Sequence, residues 1–520
     1  MRIAVAGGGP GGLFFATLVR RALPSAEVTV FERNRAEDTF GFGVVFSDRT
    51  LAGIDQADPV LREALSTHGR HWEDIEVRVK GERIRCGGNG MAAIARQALL
   101  FLLQQRAEQA GARLRFTTPV SLTGLGGYDL LVAADGTNST VRGQLGTDLG
   151  VEVDTATAKF IWFGTDYLFG GLTFVHERGP DGIFAVHGYP ISDRVSTFIV
   201  ETDEASWRRA GLDEFDVTQT PGASDMKSKA YLEKLFADQI DGRRLLTNNS
   251  RWANFRTRRT RRWHTLSPRP VVLLGDAAHT AHFSVGSGTK MAMEDAIALA
   301  ASLGEHPDDL PAALAAYEVA AQPPVRQIQD SARPSLSWWE HFGRYHDAFE
   351  PWQFAYHFLT RSITDARLAR RAPAFVAASH EAWTALHGAE PLQTPVFHAG
   401  WAASERVLRV TTEPDGTPCT VDGLPLSTHP RPAPWGALLT APDDEAGLAD
   451  AARRLVSLIV DAAPVLVAVH GGTPLTRTLL CEHARMELGL PALLIEPTLD
   501  QDHAVTAVLS GRADLVGVAA

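Results

Sequence analysis

The sequence is poor in cysteine: Cys86, Cys419 and Cys481 are the only three in 520 residues and lie far apart. They exclude a disulfide framework and a close cluster of thiolate metal ligands, and they read as reduced intracellular thiols. No apolar run reaches the roughly 20 residues that span a bilayer. MRIAVAGGG opens directly on a buried-strand pattern, with no charged region, apolar stretch and cleavage site in series. A cytoplasmic location without a membrane partner is expected. Positive charge is also scarce: 50 Lys and Arg, of which six are Lys, stand against 61 Asp and Glu, a formal charge of −11. That balance excludes a general polyanion binder, so no nucleic-acid partner is expected, although a local basic patch stays open. With 21% charged and 45% apolar residues, the chain is unlike a disordered or fibrous one. Its length predicts one large or two to three ordinary domains.

What is present begins with βαβ grammar. Arg2–Ala6 reads as an apolar strand, Gly7–Gly12 as a glycine-dense turn, Leu13–Leu23 as a helix and Glu27–Phe31 as an alternating strand. A helix is expected over Met91–Ala110 with Gly111 as its stop, then strands at Arg113–Phe116 and through YDLLVAAD to Asp135. Between Lys159 and Glu201 the pattern changes to KFIWFG, LTFV, GIFAVHGY and VSTFIVE, short runs suited to an antiparallel sheet. The βα pattern resumes at Val271–Leu274 and in a helix from about Ser287 to Leu303.

The expected fold is therefore α/β: a Rossmann-like domain over 1–150 and 265–390, including a helical extension, interrupted by a sheet domain at 151–264 with parts of 40–90 contributing. Trp338, Trp339, Tyr345, Phe349 and Trp352 recur at near-helical intervals, as a packing stripe or a ligand-facing wall. Residues 391–434, with frequent Pro, Thr and Gly, read as a linker. Residues 435–520 read as a small α/β unit of four strands, whose sheet must bury both faces against the main body.

Three constellations carry chemistry. Gly7-x-Gly9-x-x-Gly12 follows a strand and opens a helix. Gly7 permits the turn, Gly9 leaves room for a pyrophosphate and Gly12 lets helix and strand approach, while the free amides face phosphate charge. Glu32, twenty residues after Gly12, suits a ribose diol. This motif alone leaves nicotinamide and flavin open. The second is Ala134–Arg142 (ADGTNSTVR), and the third is Gly275–Gly288 (GDAAHTAHFSVGSG), each after an apolar strand. An Asp at such a strand end can accept a sugar hydroxyl, and the helix near Ser287 points its positive end into the crevice, as a reduced flavin ring requires.

Together the three resemble the class A FAD-dependent aromatic hydroxylases, the fold of p-hydroxybenzoate hydroxylase, over most of residues 1–300. The resemblance implies bound FAD, NADH or NADPH and O2 as co-substrates, and no metal. It implies a cofactor set of Gly7, Gly9 and Gly12 at the ADP moiety, Glu32 and its neighbour Arg33 on the ribose side, Arg96 near the flavin phosphate and ribityl chain, and Val120 beside adenine. Asp135 belongs to a middle motif serving flavin and NAD(P)H, Gly275 and Asp276 hold the ribityl chain, and Gly286, Ser287 and Gly288 complete the set.

Phe283 stands where the family usually has proline, four residues after His279. The run HFSVGSG, with GFGVVF at Gly41–Phe46, is similar to the acyl-CoA branch, the salicylyl-CoA 5-hydroxylases and the 2-aminobenzoyl-CoA monooxygenase/reductases, and a violacein-pathway hydroxylase shares part of it. The tail runs HARMELGLP and GRADLVGV resemble the end of an old-yellow-enzyme-like barrel. Eight βα units need about 250 residues, so the tail is expected to be a truncated remnant with a structural or interface role.

The implied activity is hydroxylation of salicylyl-CoA to gentisyl-CoA, with O2 added at flavin C4a and oxygen delivered to ring C5. A free phenolic or indolic substrate and a flavin-dependent reductase remain as alternatives. The expected partner is an aromatic acyl-CoA, and a homodimer stays open. His282, Phe283 and His187 are the catalytic candidates, each with a structural alternative, and His279 is expected to fix the cofactor loop. The basic run Asn254–Trp263 (NFRTRRTRRW) either neutralises CoA phosphates, with Arg258 and Arg259 as the test positions, or forms a solvated face.

Overall fold

The computed structural model describes residues 1–39, 41–215, 222–286, 288–461, 463–498 and 500–519. They form two compact units, Met1–Arg78 with Asn89–His341 and Val79–Gly88 with Phe342–Ala520.

The first unit is built on a six-stranded sheet in the order His264–Thr265, Val271–Leu273, Leu130–Ala133, Arg2–Ala6, Glu27–Phe31, Arg113–Arg115. All but the first pairing are parallel. The four central strands are almost wholly buried, which is why they read as unbroken apolar runs. Parallel pairing sends every strand's carboxyl end to one edge. The three glycine- and aspartate-rich motifs follow Arg2–Ala6, Leu130–Ala133 and Val271–Leu273, three adjacent strands, so the topology gathers them in one crevice.

The helix Pro10–Ala22 starts with Pro at its first position, where a missing N–H costs nothing. It packs on Gly288–Glu305 so tightly that a Cβ on Gly11 would stand 2.6 Å from Leu274 Cδ2 and 3.1 Å from Ala292 Cβ. Met91–Ala95, expected to begin a helix, is instead a strand between Gly43–Ser47 and Arg70–Trp72, and the helix runs over Arg96–Gln109. MAAIA has good helix propensity, but antiparallel partners on both sides override it.

The inserted sheet includes Leu245–Leu246, Val151–Thr165, Ser196–Thr202, Gly182–Pro190 and Leu172–Gly179 in that order, with Ala253–Thr260 also paired to Val151–Thr165. Alternation gives it two faces. Ile161, Phe163, Val175, Phe184, Val186, Phe198 and Val200 share a core with Leu232 and Phe236 from its helical cover. Phe160, Trp162 and His187 turn the other way, toward Phe283.

The second unit departs from expectation in two places. Its boundary falls after His341, so the helices Pro351–Leu359 and Pro373–His387, expected to extend the cofactor domain, belong here. The segment read as a linker over 391–434 contains strands, and three of them, Val407–Thr412, Pro418–Val421 and Leu424–Ser427, join Gly436–Thr440, Leu466–His470, Ala492–Glu496 and Leu515–Ala519 in a closed seven-stranded barrel. The four later strands thus bury both faces by closing on the earlier three, through parallel pairing of Val407–Thr412 with Leu515–Ala519. The barrel interior is filled by residues such as Val410, Val421, Leu466, Leu493 and Leu515. Among the described residues no helix is long and apolar enough to cross a membrane.

Candidate active site

A cavity of about 830 Å³ opens along the carboxyl edge of the six-stranded sheet. Its wall joins residues far apart in sequence: Gly9 and Gly12 at the opening helix, Arg96, Gly136 to Asn138, Gly275 and Asp276, and Phe283 with Gly286 and Gly288.

The opening turn is held by backbone contacts that leave no space for side chains. A Cβ on Gly7 would lie 2.2 Å from Ala134 O, at a φ of +109°. Gly9 has open space beside it, and as N-cap it brings no side-chain oxygen to the first amides of the helix. Those amides remain available to an anion. Glu32 accepts Gly8 N at 2.8 Å on one oxygen and Asn34 N at 2.8 Å on the other, so it organises the turn at the cavity's edge. Arg33 is exposed, Val120 is half-buried against the core, and neither lies in the cavity wall. Ser287 lies outside the described residues.

The second and third motifs are tied together. Arg142 donates to Ala277 O at 2.7 Å and to Thr137 O at 2.9 Å, and Thr137 Oγ1 donates to Asp276 Oδ2 at 3.1 Å. Asp135 caps the following turn through one oxygen, accepting Thr140 N at 2.8 Å. His279 is buried and fixes the loop as expected: Asp295 Oδ2 lies 2.7 Å from its Nε2 and accepts Gly275 N at 2.9 Å. Burial lowers the pKa of Arg96, opposed by Tyr189 and by Asp276.

Arg96 Nε, Asp135 Oδ1 and Trp162 Nε1 are buried without a hydrogen-bond partner among the described residues. Buried polar atoms are rarely left so unless a ligand completes them. These atoms, the bare helix amides, the space beside Gly9 and the N-terminus of Gly288–Glu305 fit FAD.

The inner wall is aromatic. Phe283 meets Phe160 at 5.1 Å and Trp162 at 5.6 Å between ring centroids, and all three line the cavity. Behind it lie His282 and His187, joined through Glu201, a residue the sequence reading did not single out. Glu201 Oε1 is 2.7 Å from His187 Nε2, and Oε2 is 3.6 Å from His282 Nε2. Ser284 engages His282 Nδ1, its N donating at 3.3 Å and its Oγ lying 2.8 Å away, so Nε2 is the ring nitrogen that faces the carboxylate. All three side chains are at most 5% exposed. The signal for Glu201 was a lone carboxylate within the otherwise apolar strand pattern of VSTFIVE.

The basic run divides by position. Arg258 is buried and donates to Asp276 O at 3.3 Å, and Arg259 pairs with Asp330 at 2.9 Å, so neither is a free phosphate ligand. Arg256 is exposed and belongs to the cavity wall.

Residues 128–332 match the FAD binding domain family. The chain is 56% identical to a salicyloyl-CoA 5-hydroxylase of a Streptomyces species over 99% of each chain. It is 36% identical to a 3-hydroxy-4-methyl-anthranilyl-[aryl-carrier protein] 5-monooxygenase of Streptosporangium sibiricum over 65% of this chain and 89% of that one. Among solved structures, the tetrameric 2-methyl-3-hydroxypyridine-5-carboxylic acid oxygenase superposes with a TM-score of 0.53 at 19% identity, covering 70% of this chain and 98% of that one.

Proposed function

The chain belongs to the class A FAD-dependent aromatic hydroxylases, and from that premise we propose that it hydroxylates the ring of a salicylyl-type CoA thioester, salicylyl-CoA to gentisyl-CoA, with NAD(P)H and O2. The aromatic wall suits many planar rings. The observation that carries the substrate class is the full-length likeness to a salicyloyl-CoA 5-hydroxylase, at 56% identity. FAD, when bound, supplies the two-electron reduction of O2 by NAD(P)H, from which one oxygen atom reaches the ring and the other leaves as water.

The chain's own residues bind, orient and shield. When FAD is bound, Gly9 to Gly12 would hold its diphosphate and Glu32 its ribose side, and Arg96 and Asp276 would hold its ribityl chain. Phe283, Phe160 and Trp162 hold the substrate ring and exclude water. The Glu201 carboxylate lies between the two imidazoles, 2.7 Å from His187 Nε2 and 3.6 Å from His282 Nε2, and forms with them a buried group able to hold a proton behind Phe283. In this reading Glu201→Gln retains FAD, lowers kcat by about 10²-fold and moves the pH profile of kcat. A profile identical to wild type, with FAD retained, removes the unit from the reaction.

The second unit supports a finer reading as the remnant of an old-yellow-enzyme-like barrel with a structural or interface role. Three of its seven strands are joined by antiparallel hairpins where a complete barrel has βα units. A nicotinamide dinucleotide and a CoA thioester as co-substrates support a cytoplasmic location.

One assay tests the function. The purified protein should carry one flavin per chain, as FAD, and salicylyl-CoA should stimulate NADH or NADPH oxidation and yield a thioester one oxygen atom heavier. Stimulation by free salicylate alone would assign a free phenolic substrate. Anaerobic reduction of the thioester would make the protein a reductase, and a second flavin would overturn the remnant.

A further inference from the structure

Arg256 differs from every other arginine of its run. It sits on Ala253–Thr260 at the strand's pairing with Val151–Thr165, opposite Thr155. Just beyond Thr155 the register breaks, and Asn254 closes the bulge by donating to Ala156 O at 2.9 Å and Thr157 O at 3.1 Å. Thr155, Asn254 and Arg256 all line the cavity, and Arg256 is exposed, so this corner is where the cavity meets solvent. No ion-pair or side-chain hydrogen-bond partner of Arg256 is found among the described residues.

Behind it stands a second guanidinium. Arg258 is 4% exposed, and its Nε is buried without a partner among the described residues. Burial lowers the Arg258 pKa, Asp276 opposes this, and Arg256 is close enough to lower it further. Arg142 in turn feels Arg258. Arg256, Arg258 and Arg142 are thus neighbouring guanidiniums, of which Arg256 alone is exposed. Two of them are fastened to the carbonyls of the cofactor loop, and the outermost is unsatisfied. Like charges in such proximity are retained at a cost that an anion offsets. The FAD diphosphate has its own place at the opening helix, so the anion this corner suits is a second one, carried by a ligand entering from outside.

We propose that Arg256, backed by Arg258, is a pyrophosphate anchor at the mouth of the catalytic cavity, for the diphosphate of the CoA thioester or of the nicotinamide dinucleotide. The inference deepens the proposed function and rests on it for the identity of the two ligands.

The test uses the FAD-loaded full chain and Arg256→Glu, a substitution at an exposed position. Binding of CoA, of pantetheine and of NAD is measured by calorimetry, and KM is measured for salicylyl-CoA, its pantetheine analogue and NADH. A charge-assisted hydrogen bond corresponds to about a tenfold loss or more. A loss of that size for CoA and its thioester, with the pantetheine compounds unchanged, supports the anchor and assigns it to the thioester. The same loss confined to NAD and NADH supports it and assigns it to the dinucleotide. Unchanged values for both, or a fall in FAD content that accounts for the loss, overturns it. Wild-type protein that turns over no salicylyl thioester defeats the proposed substrate instead, and the calorimetric arm still decides the anchor.

Discussion

Glu482→Gln is expected to destabilise the second unit by about 3–5 kcal/mol, a loss of roughly 10 °C in the melting temperature of that unit. Glu482 is 2% exposed and its carboxylate holds four groups. Tyr345 Oη donates to Oε2 at 2.5 Å and Arg344 Nη2 at 2.6 Å, His357 Nε2 lies 3.2 Å from Oε1, and Arg512 Nε stands 4.0 Å away. Burial works against the charged form, but the His357 hydrogen bond and the Arg344 and Arg512 charges hold the carboxyl well below its usual range. The amide keeps the shape and removes the charge, leaving the buried Arg512 with no carboxylate beside it among the described residues and Arg344 with only the more exposed Glu487, 3.4 Å from its Nη1. That imbalance, and not the lost hydrogen bonds, dominates the effect.

The same cluster gives the unit an acid limit. Burial and Arg512 push the His357 imidazole down from 6.5 to about 3, so between those values it is neutral in the folded unit while the unfolded chain is protonated. Between pH 6.5 and 3 the unfolded state binds more protons at this position, and stability falls as pH falls by about 1.4 kcal/mol per unit. Below 4.5, the ordinary value of the Glu482 carboxyl, its depressed folded value adds a loss of the same sign. Urea titrations from pH 7 to 4 should show this slope in wild type and a reduced one in His357→Gln. An equal slope in the two proteins, or a cost below about 1 kcal/mol for Glu482→Gln, would show that the cluster does not govern the unit.

The cofactor crevice was legible in the sequence because its determinants are local. A strand, a glycine turn and a helix are neighbours in the chain, and parallel pairing of Arg2–Ala6, Leu130–Ala133 and Val271–Leu273 needs no further information to bring three motifs to one edge. The inner wall was half legible: period-2 alternation through Phe160 and Trp162 marks a face, but which face meets Phe283 depends on packing. Glu201 and its two histidines come from two strands and a loop, and no spacing relates them.

Of the barrel, the first three strands were missed, for a different reason. They are rich in Thr and Pro, which weakens any periodic signal, and they follow one another without the intervening helices that mark the later four. The turn chemistry was present, however. Asp422 and Gly423 both have positive φ, 43° and 81°, between the paired residues Val421 and Leu424, the two-residue hairpin that an Asp-Gly pair favours. Likewise, the run Asn254–Trp263 looks uniformly basic in sequence, whereas in the fold Arg258 is buried, Arg259 is ion-paired and Arg256 is exposed, because strand pairing and the cofactor loop give each a different neighbour.

The two glycines of the opening motif are expected to fail in different ways, and the difference tests where the cofactor lies. A Cβ on Gly12 would stand 2.2 Å from Gly7 O, 3.2 Å from Val5 Cγ1 and 3.3 Å from Ala134 Cβ. The nearest atom is backbone and cannot rotate away, so Gly12→Ala must push the helix off its strand, losing stability and retracting the amides that face the cavity. Gly12→Ala should therefore give a colourless protein with a lowered melting temperature. Gly9 has no atom within 4 Å of its Cβ position, and its φ of −77° and ψ of 177° suit alanine. Gly9→Ala should fold with the stability of the wild-type apoprotein, yet its methyl projects into the cavity where the diphosphate approaches the backbone. Its affinity for FAD, followed by flavin fluorescence, should fall at least 100-fold, about 2.7 kcal/mol. Wild-type affinity in Gly9→Ala would mean that the diphosphate does not lie over this turn, and the assignment of the crevice to FAD would fall with it.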